Sequence, residues 1–214
     1  MRYKKLPYEL VPIGFSDIER IAKEVGAPPT DTSTPTPKYT VPFIKDSTTG
    51  KVVSDSTVIA QYLDEAYPDT PPVIPEGSLT LQKIFLNDVI RNRISGVHRT
   101  AIRPVLSQYF PKDYQEVAKV TPTTPEQVAE AFRTAQGQLA KLNEILNGGG
   151  PGPFREFVMG AKPVFADFAM MAFIYPIKFV YGADSDEWKE VRSWANGWIG
   201  WLIDGVDEVI KVDS

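Results

Sequence analysis

The chain has 214 residues, 43% of them hydrophobic, enough for one large domain or two small ones with a sizeable core. A net charge of −4 and an isoelectric point near 5.2 argue against a general binder of phosphate backbones, whose surfaces carry a basic surplus. With no cysteine and one histidine, disulfides, thiolate metal sites and cysteine nucleophiles are excluded, and Ser-His-Asp chemistry has little to draw on.

Residues 1–10 (MRYKKLPYEL) begin basic but lack the apolar stretch of a secretory signal, so a cytoplasmic protein is expected. Residues 8–15 (YELVPIGF) predict a strand, with Pro12 marking an edge position or its end. Residues 17–25 predict a short helix with Asp17 as cap, Ile18, Ile21 and Ala22 as apolar face and Gly26 as C′ residue. The proline-rich stretch 29–38 (PTDTSTPTPK) reads as a loop bordering a site, where Lys38 is either a contact for a substrate carboxylate or a solvated loop lysine.

Residues 39–68 (YTVPFIKDSTTGKVVSDSTVIAQYLDEAYP) carry the most local information. β-Branched and aromatic residues up to Asp46, a turn set ending in Gly50 and the pair Val52 and Val53 predict a hairpin. Ser54, Asp55 and Ser56 offer oxygens to the bare N–H groups of the next helix, whose predicted apolar face is Val58, Ile59, Tyr62, Leu63, Ala66 and Tyr67. Such a helix N-terminus suits a substrate carboxylate, and an adjacent aspartate suits an ammonium. Simple capping by Asp55 and Ser56 is the alternative.

Residues 69–78, rich in proline, predict a linker, after which the periodicity is helical. A helix over 79–92 is expected to turn Leu81, Ile84, Phe85, Val89 and Ile90 inward, with Arg91, Arg93, Arg99 and Arg103 forming a cationic side and His98 lacking an obvious carboxylate partner. Residues 108–123 read as an irregular connection whose aromatics either line an apolar site or cover helices. Thr124 and Gln127 form a capping box, Pro125 takes the first helical position, and Val128, Phe132, Ala135, Leu139, Leu142 and Leu146 form one stripe up to the glycines at 148–150. Residues 165–181 are interrupted by Asp167, Pro176 and Lys178, so they predict a buried helix rather than a membrane span. A last helix over 187–203 is expected to bury Trp188, Trp194, Trp198 and Trp201 together, each indole with one hydrogen-bond partner.

The run V-P-F-I, a hairpin and then S-D-S-x-x-I-A-x-Y-L-D-E-x-Y-P resembles the glutathione-binding half of cytosolic glutathione transferases, most closely the fungal-specific class A related to bacterial β-etherases. The resemblance covers nearly all of the chain from Tyr3 onward and implies an α+β architecture: a truncated thioredoxin-like domain over 1–74, then an all-α helical-bundle domain over 75–214. It implies that the backbone of Val41, before a cis-proline at Pro42, holds the cysteinyl part of glutathione, and that Asp55 and Ser56 hold the γ-glutamyl group. Residues 163–167 (PVFAD) resemble the start of the family's central helix, but Val164 stands where a capping Ser or Thr is usual.

Tyr3, Lys4 and Lys5 resemble the end of the family's first helix, so its first strand and the loop bearing the catalytic Ser, Tyr or Cys have no counterpart here. That strand is central in the fold, and its loss leaves open edges. The segment at Tyr8 is therefore expected to move across to pair with the strand at Tyr39, or another chain to cover the gap. The resemblance implies glutathione as co-substrate or ligand, hydrophobic or aromatic small molecules as second ligands, a homodimer, and weak or absent conjugating activity in a detoxification-related protein; no nucleic acid, membrane or metal is expected. The alternative is a ligandin-like carrier or dimeric interaction module with a vestigial glutathione site.

Overall fold

The computed structural model describes residues 1–33, 35–109, 122–147 and 156–211. The expected irregular connection at 110–121, the glycine helix end at 148–150 and the loop at 151–153 lie outside the described residues. A 3₁₀ turn over Arg2–Lys4 opens the chain. A second, Phe15–Asp17, leads into α1, Ile18–Val25, which Gly26 ends at φ 76°. Asp17 does not cap α1; its Oδ1 accepts from Arg20 Nε at 3.1 Å instead.

Two strands follow, β1 (Phe43–Lys45) and β2 (Val52–Ser54). They pair antiparallel with Phe43 opposite Ser54, Ile44 opposite Val53 and Lys45 opposite Val52. Asp46 Oδ1 accepts from the backbone of Thr48 at 2.8 Å and of Thr49 at 3.3 Å, and Gly50 takes the left-handed conformation that closes the turn, as expected. Then comes α2, Ser56–Ala66. Its Ile59, Tyr62 and Leu63 pack on Val53, with Leu6 and Ile44 at the margin. Val58, expected inward, is exposed, because the buried arc of the helix runs through Ile59, Ala60, Tyr62 and Leu63.

The predicted strand at 8–15 does not form. Residues 8–14 adopt no helix, strand or turn, Tyr8, Leu10 and Val11 are exposed, and among the described residues the sheet consists of β1 and β2 alone. The segment has not moved across to pair with β1. Its upstream end is pinned elsewhere: Lys4 Nζ lies 2.6 Å from Asp64 Oδ1 and donates to Thr70 Oγ1 at 2.9 Å and to the Pro71 carbonyl at 3.0 Å.

The rest is helical. The long α3 begins as Leu79–Leu86 and continues with π-helical winding over Asn87–Ile94, a turn at Ser95–Val97, a second π segment at His98–Ile102 and a last α-helical stretch, Arg103–Tyr109. Leu81 and Ile84, expected inside, are exposed, because the inward position of the first turns belongs to Gln82. Its amide donates to Ser78 Oγ at 2.9 Å and to the Val73 carbonyl at 3.3 Å, and its oxygen accepts from Ala166 N–H at 2.9 Å. Buried polar groups with all bonds made fix a helix's phase firmly.

Helix α4 spans Pro125–Asn147. The capping box forms in both directions, Thr124 N–H to Gln127 Oε1 at 2.8 Å and Gln127 N–H to Thr124 Oγ1 at 3.3 Å, and Phe132, Ala135, Leu139 and Leu142 are buried as one stripe. Helix α5 spans Phe165–Tyr181. Val164 has no acceptor to offer, yet half of the usual cap survives: Asp167 accepts from Val164 N–H at 2.7 Å and reaches the neighbouring loop at Val158 N–H, 2.8 Å away.

The single last helix expected over 187–203 is two helices, α6 (Asp186–Ser193) and α7 (Trp198–Ile210). Ala195, Asn196 and Gly197 all have positive φ, which reverses the backbone between them. The break re-phases the tryptophans: Trp188, Trp194 and Trp198 join the main core, whereas Trp201 is exposed. The indole N–H groups of Trp194 and Trp198 are buried without a partner, contrary to expectation. Ala60 and Val73 pack on Phe165, and Phe165 N–H donates to the Val73 carbonyl at 2.8 Å, so the hairpin unit and the helical bundle share one interface.

Candidate functional site

The site residues follow from the hairpin register. Because Phe43 faces Ser54, the residues just outside the ladder, Val41 and Pro42 on one side and Asp55 and Ser56 on the other, meet at the end of the hairpin away from its turn. The Val41–Pro42 peptide is cis, as the resemblance implies. Val41 is about half exposed. Lys38 is outside this register. Its ammonium lies 3.5 Å from Asp31 Oδ2, and its backbone bridges to Asp31.

Asp55 combines two features that the sequence did not reveal together. Its φ of 74° and ψ of 126° are costly for any residue with a Cβ, and such backbone outliers concentrate where a chain is shaped for a ligand. Its Oδ1 accepts from Thr57 N–H at 2.9 Å and Val58 N–H at 3.2 Å, which satisfies two of the free donors at the start of α2. Capping therefore uses one carboxylate oxygen. Among the described residues the other oxygen is uncommitted, as are the N–H and hydroxyl of Ser56. Immediately before them, Ser54 Oγ is buried without a partner. One anionic oxygen beside a helix N-terminus with free donors is suited to a group carrying both an ammonium and a carboxylate.

A second feature is a groove of about 640 Å³ between α3 and α4, bordered by Arg91, Arg99, Thr100, Gln127 and Thr134. The π-wound parts of α3 lie along it, and such winding recurs at functional positions. The four arginines do not form one cationic side. Arg93 turns inward, pairing with Asp88 at 2.7 Å and donating to the Gln138 carbonyl at 2.9 Å, whereas Arg91 and Arg99 make no ion pair among the described residues. His98 is half-buried and packs edge-on to Phe173 at 5.7 Å. Burial and then the charge of Arg103 lower its pKa. Among the described residues no group of three His, Cys, Asp or Glu side chains is arranged to hold a metal, and no helix is long and apolar enough to cross a membrane.

A thioredoxin-like hairpin and helix, entered through a cis-proline and followed by an all-α domain, is the architecture of two-domain glutathione transferases. The chain belongs to the glutathione S-transferase family: residues 80–208 match the family described as "Glutathione S-transferase, C-terminal domain" and residues 1–71 the one described as "Glutathione S-transferase, N-terminal domain". It is 26% identical over 220 aligned positions to a glutathione S-transferase-like protein, ustS, of Aspergillus flavus, covering 92% of this chain and 76% of that protein. It is also similar to two glutathione S-transferases of Ceriporiopsis subvermispora solved in complex with glutathione. CsGST63524 has a TM-score of 0.84 at 29% identity, covering 100% of this chain and 89% of that one. CsGST83044 has a TM-score of 0.81 at 29% identity, covering 96% and 87%. Glutathione transferase GSTFuA3 of Phanerochaete chrysosporium has a TM-score of 0.77 at 25% identity, covering 100% and 87%.

Proposed function

We propose that this chain binds glutathione at the open end of its hairpin, with weak or absent conjugating activity, as a cytoplasmic homodimer taking aromatic or apolar small molecules as second ligands in a detoxification-related role. Residues 1–74 form the glutathione-recognising domain and residues 75–214 the helical one. The observation that carries this reading is the uncommitted carboxylate oxygen of Asp55 beside the free donors of Ser56, at the same hairpin end as Val41 and the cis-proline Pro42. Asp55 pairs with the γ-glutamyl ammonium, Ser56 with its carboxylate, and the Val41 backbone with the cysteinyl unit. Glutathione complexes in the two Ceriporiopsis relatives support the ligand. Conjugation needs a hydrogen bond that stabilises the thiolate, and the assigned residues supply recognition only.

The test is calorimetric titration with glutathione of the wild type, Asp55→Asn and Asp55→Ala. Asparagine keeps the cap and loses the ammonium pair, so affinity is expected to fall about tenfold or more in both variants, while only alanine also lowers helix stability, by ~1 kcal/mol. Equal affinity in all three proteins refutes the site. Turnover of a chromogenic electrophile well above the uncatalysed rate refutes weak conjugation. The groove with Arg91 and Arg99 favours a second reading, a carrier of aromatic anions with a vestigial glutathione site; ligand binding that survives Asp55→Ala with no glutathione binding in the wild type decides for it.

A further inference from the structure

We infer that the groove between α3 and α4 binds a phosphorylated sugar or polyol, with Arg91 and Arg99 on the phosphate and a row of side-chain hydroxyls accepting from the ligand's own O–H groups. The site is separate from the hairpin end and does not rest on the glutathione reading.

The phosphate end follows from charge. Arg91, Arg93 and Arg99 border the groove from α3, and Glu126 and Glu130 border it from α4. Arg93 is engaged by Asp88 and the Gln138 carbonyl. Glu130 is engaged by Arg133, whose guanidinium lies 2.7 Å from its Oε2. Glu126 accepts from its own N–H and from the Thr124 hydroxyl. Arg91 and Arg99 are exposed and make no ion pair among the described residues, so two guanidiniums stand against one carboxylate. A phosphomonoester carries close to two negative charges at neutral pH and three acceptor oxygens, enough for both guanidiniums, whereas a carboxylate balances one. The two arginines are at most about 12 Å apart along the helix. Gly96 lies between them, and a Cβ there would meet nothing within 4 Å, so the open space over it is within reach of both long side chains.

The sugar end follows from hydrogen-bond accounting. A hydroxyl has one proton to donate and two lone pairs with which to accept. Ser95 Oγ donates to the Arg91 carbonyl at 2.5 Å, Thr100 Oγ1 to the Gly96 carbonyl at 2.8 Å and Thr123 Oγ1 to the Thr100 carbonyl at 2.8 Å. All three residues border the groove. Toward a ligand their oxygens therefore only accept, which selects a ligand that donates, as sugar hydroxyls do. No aromatic side chain borders the groove among the described residues, so an aromatic ring has nothing to stack on. This separates a hydroxylated anion from the aromatic anions of the second reading. At about 640 Å³ the groove has room for a sugar ring and its phosphate.

The test is calorimetric titration with glucose 6-phosphate, with glucose, inorganic phosphate and phenyl phosphate as comparison ligands. The sugar phosphate is expected to bind about tenfold or more tightly than each of the three. Arg91→Gln and Arg99→Gln are each expected to weaken it by about tenfold, with an unchanged thermal midpoint because both side chains are exposed. Added salt should weaken it as well, and Asp55→Ala should leave it unchanged. Phosphatidylcholine vesicles carrying phosphatidylinositol phosphate offer the same chemistry on a membrane; binding to them in place of the free sugar phosphate supports the site and assigns its source. Four results overturn it: no binding of either form, equal affinity in Arg91→Gln/Arg99→Gln, inorganic phosphate bound as tightly as the sugar phosphate (an adventitious ion only), or phenyl phosphate bound as tightly. A wild type that binds glucose 6-phosphate but not glutathione overturns the glutathione reading and leaves this site standing.

Discussion

The phenol of Tyr62, on α2, donates to Asp46 Oδ2 at 2.5 Å and ties the hairpin turn to the helix that follows it. Tyr67 donates to the same oxygen at 2.8 Å. Because the Tyr62 proton is engaged with Asp46, Thr49 is the donor in its 2.6 Å contact with the Tyr62 oxygen. Together with the two backbone N–H groups on Oδ1, these bonds make Asp46 the fixed point that holds the hairpin, and with it Val41 and Asp55, against α2.

The Tyr62 bond, followed by those of Tyr67, Thr48 and Thr49, outweighs the opposing effect of burial and holds the Asp46 carboxyl well below the usual aspartate value of 3.8. A depressed native pKa contributes stability that is present above the unfolded value and lost as pH falls through the native one. Asp46→Ala is expected to lower the thermal midpoint at pH 7 by several degrees. The penalty should shrink as pH is lowered below about 4, as followed by circular dichroism.

Asp167 behaves in the opposite sense. It is fully buried, and desolvation raises its pKa from 3.8 to about 6 despite the bonds from Val158 and Val164. The stability linked to its protonation is fully present below about pH 4 and is lost as pH rises through about 6. In Asp167→Asn one amide N–H faces a backbone donor, so the variant is destabilised throughout. Its deficit against wild type should be larger at pH 4 than at pH 8 by up to ~3 kcal/mol in urea unfolding, at 1.36 kcal/mol per pKa unit.

Lys4 and Asp64 form a nearly dry ion pair, with side chains 3% and 14% exposed. Asp64 also accepts from Ile74 N–H at 2.8 Å and Val73 N–H at 3.0 Å. Lys4→Met leaves that buried carboxylate without its cation and is expected to cost ~3–5 kcal/mol in chemical denaturation. The loss should exceed that of Lys23→Met, whose pair with Glu19 is exposed and contributes ~1 kcal/mol or less.

Gly200 is the contact between α6 and α7. A Cβ there would lie 2.7 Å from the Arg192 carbonyl oxygen, a backbone atom that cannot turn aside. Gly200→Ala is expected to cost ~1–3 kcal/mol in urea unfolding by forcing the helices apart. Gly137→Ala, where a Cβ meets nothing within 4 Å, serves as the control and should stabilise α4 slightly.

Local chemistry made much of this legible in the sequence. The Thr124 and Gln127 capping box, the buried stripe of α4, the turn at Gly50 and the cap at Asp55 each depend on residues a few positions apart, and each formed. Motif spacing likewise pointed to the family and to Val41, Pro42, Asp55 and Ser56, which the hairpin register then brings to one end of the hairpin. Tertiary structure decided the rest, because the deciding partners are distant in the chain. Gln82 took the inward position on α3 by bonding to Val73 and Ala166, which turned Leu81 and Ile84 to solvent. Three left-handed residues split the last helix and exposed Trp201. The segment at Tyr8 has strand-forming residues, but a strand exists only where another edge meets it, and Lys4 holds the upstream backbone against Asp64, Thr70 and Pro71. Propensity is a property of a segment; pairing is a property of two.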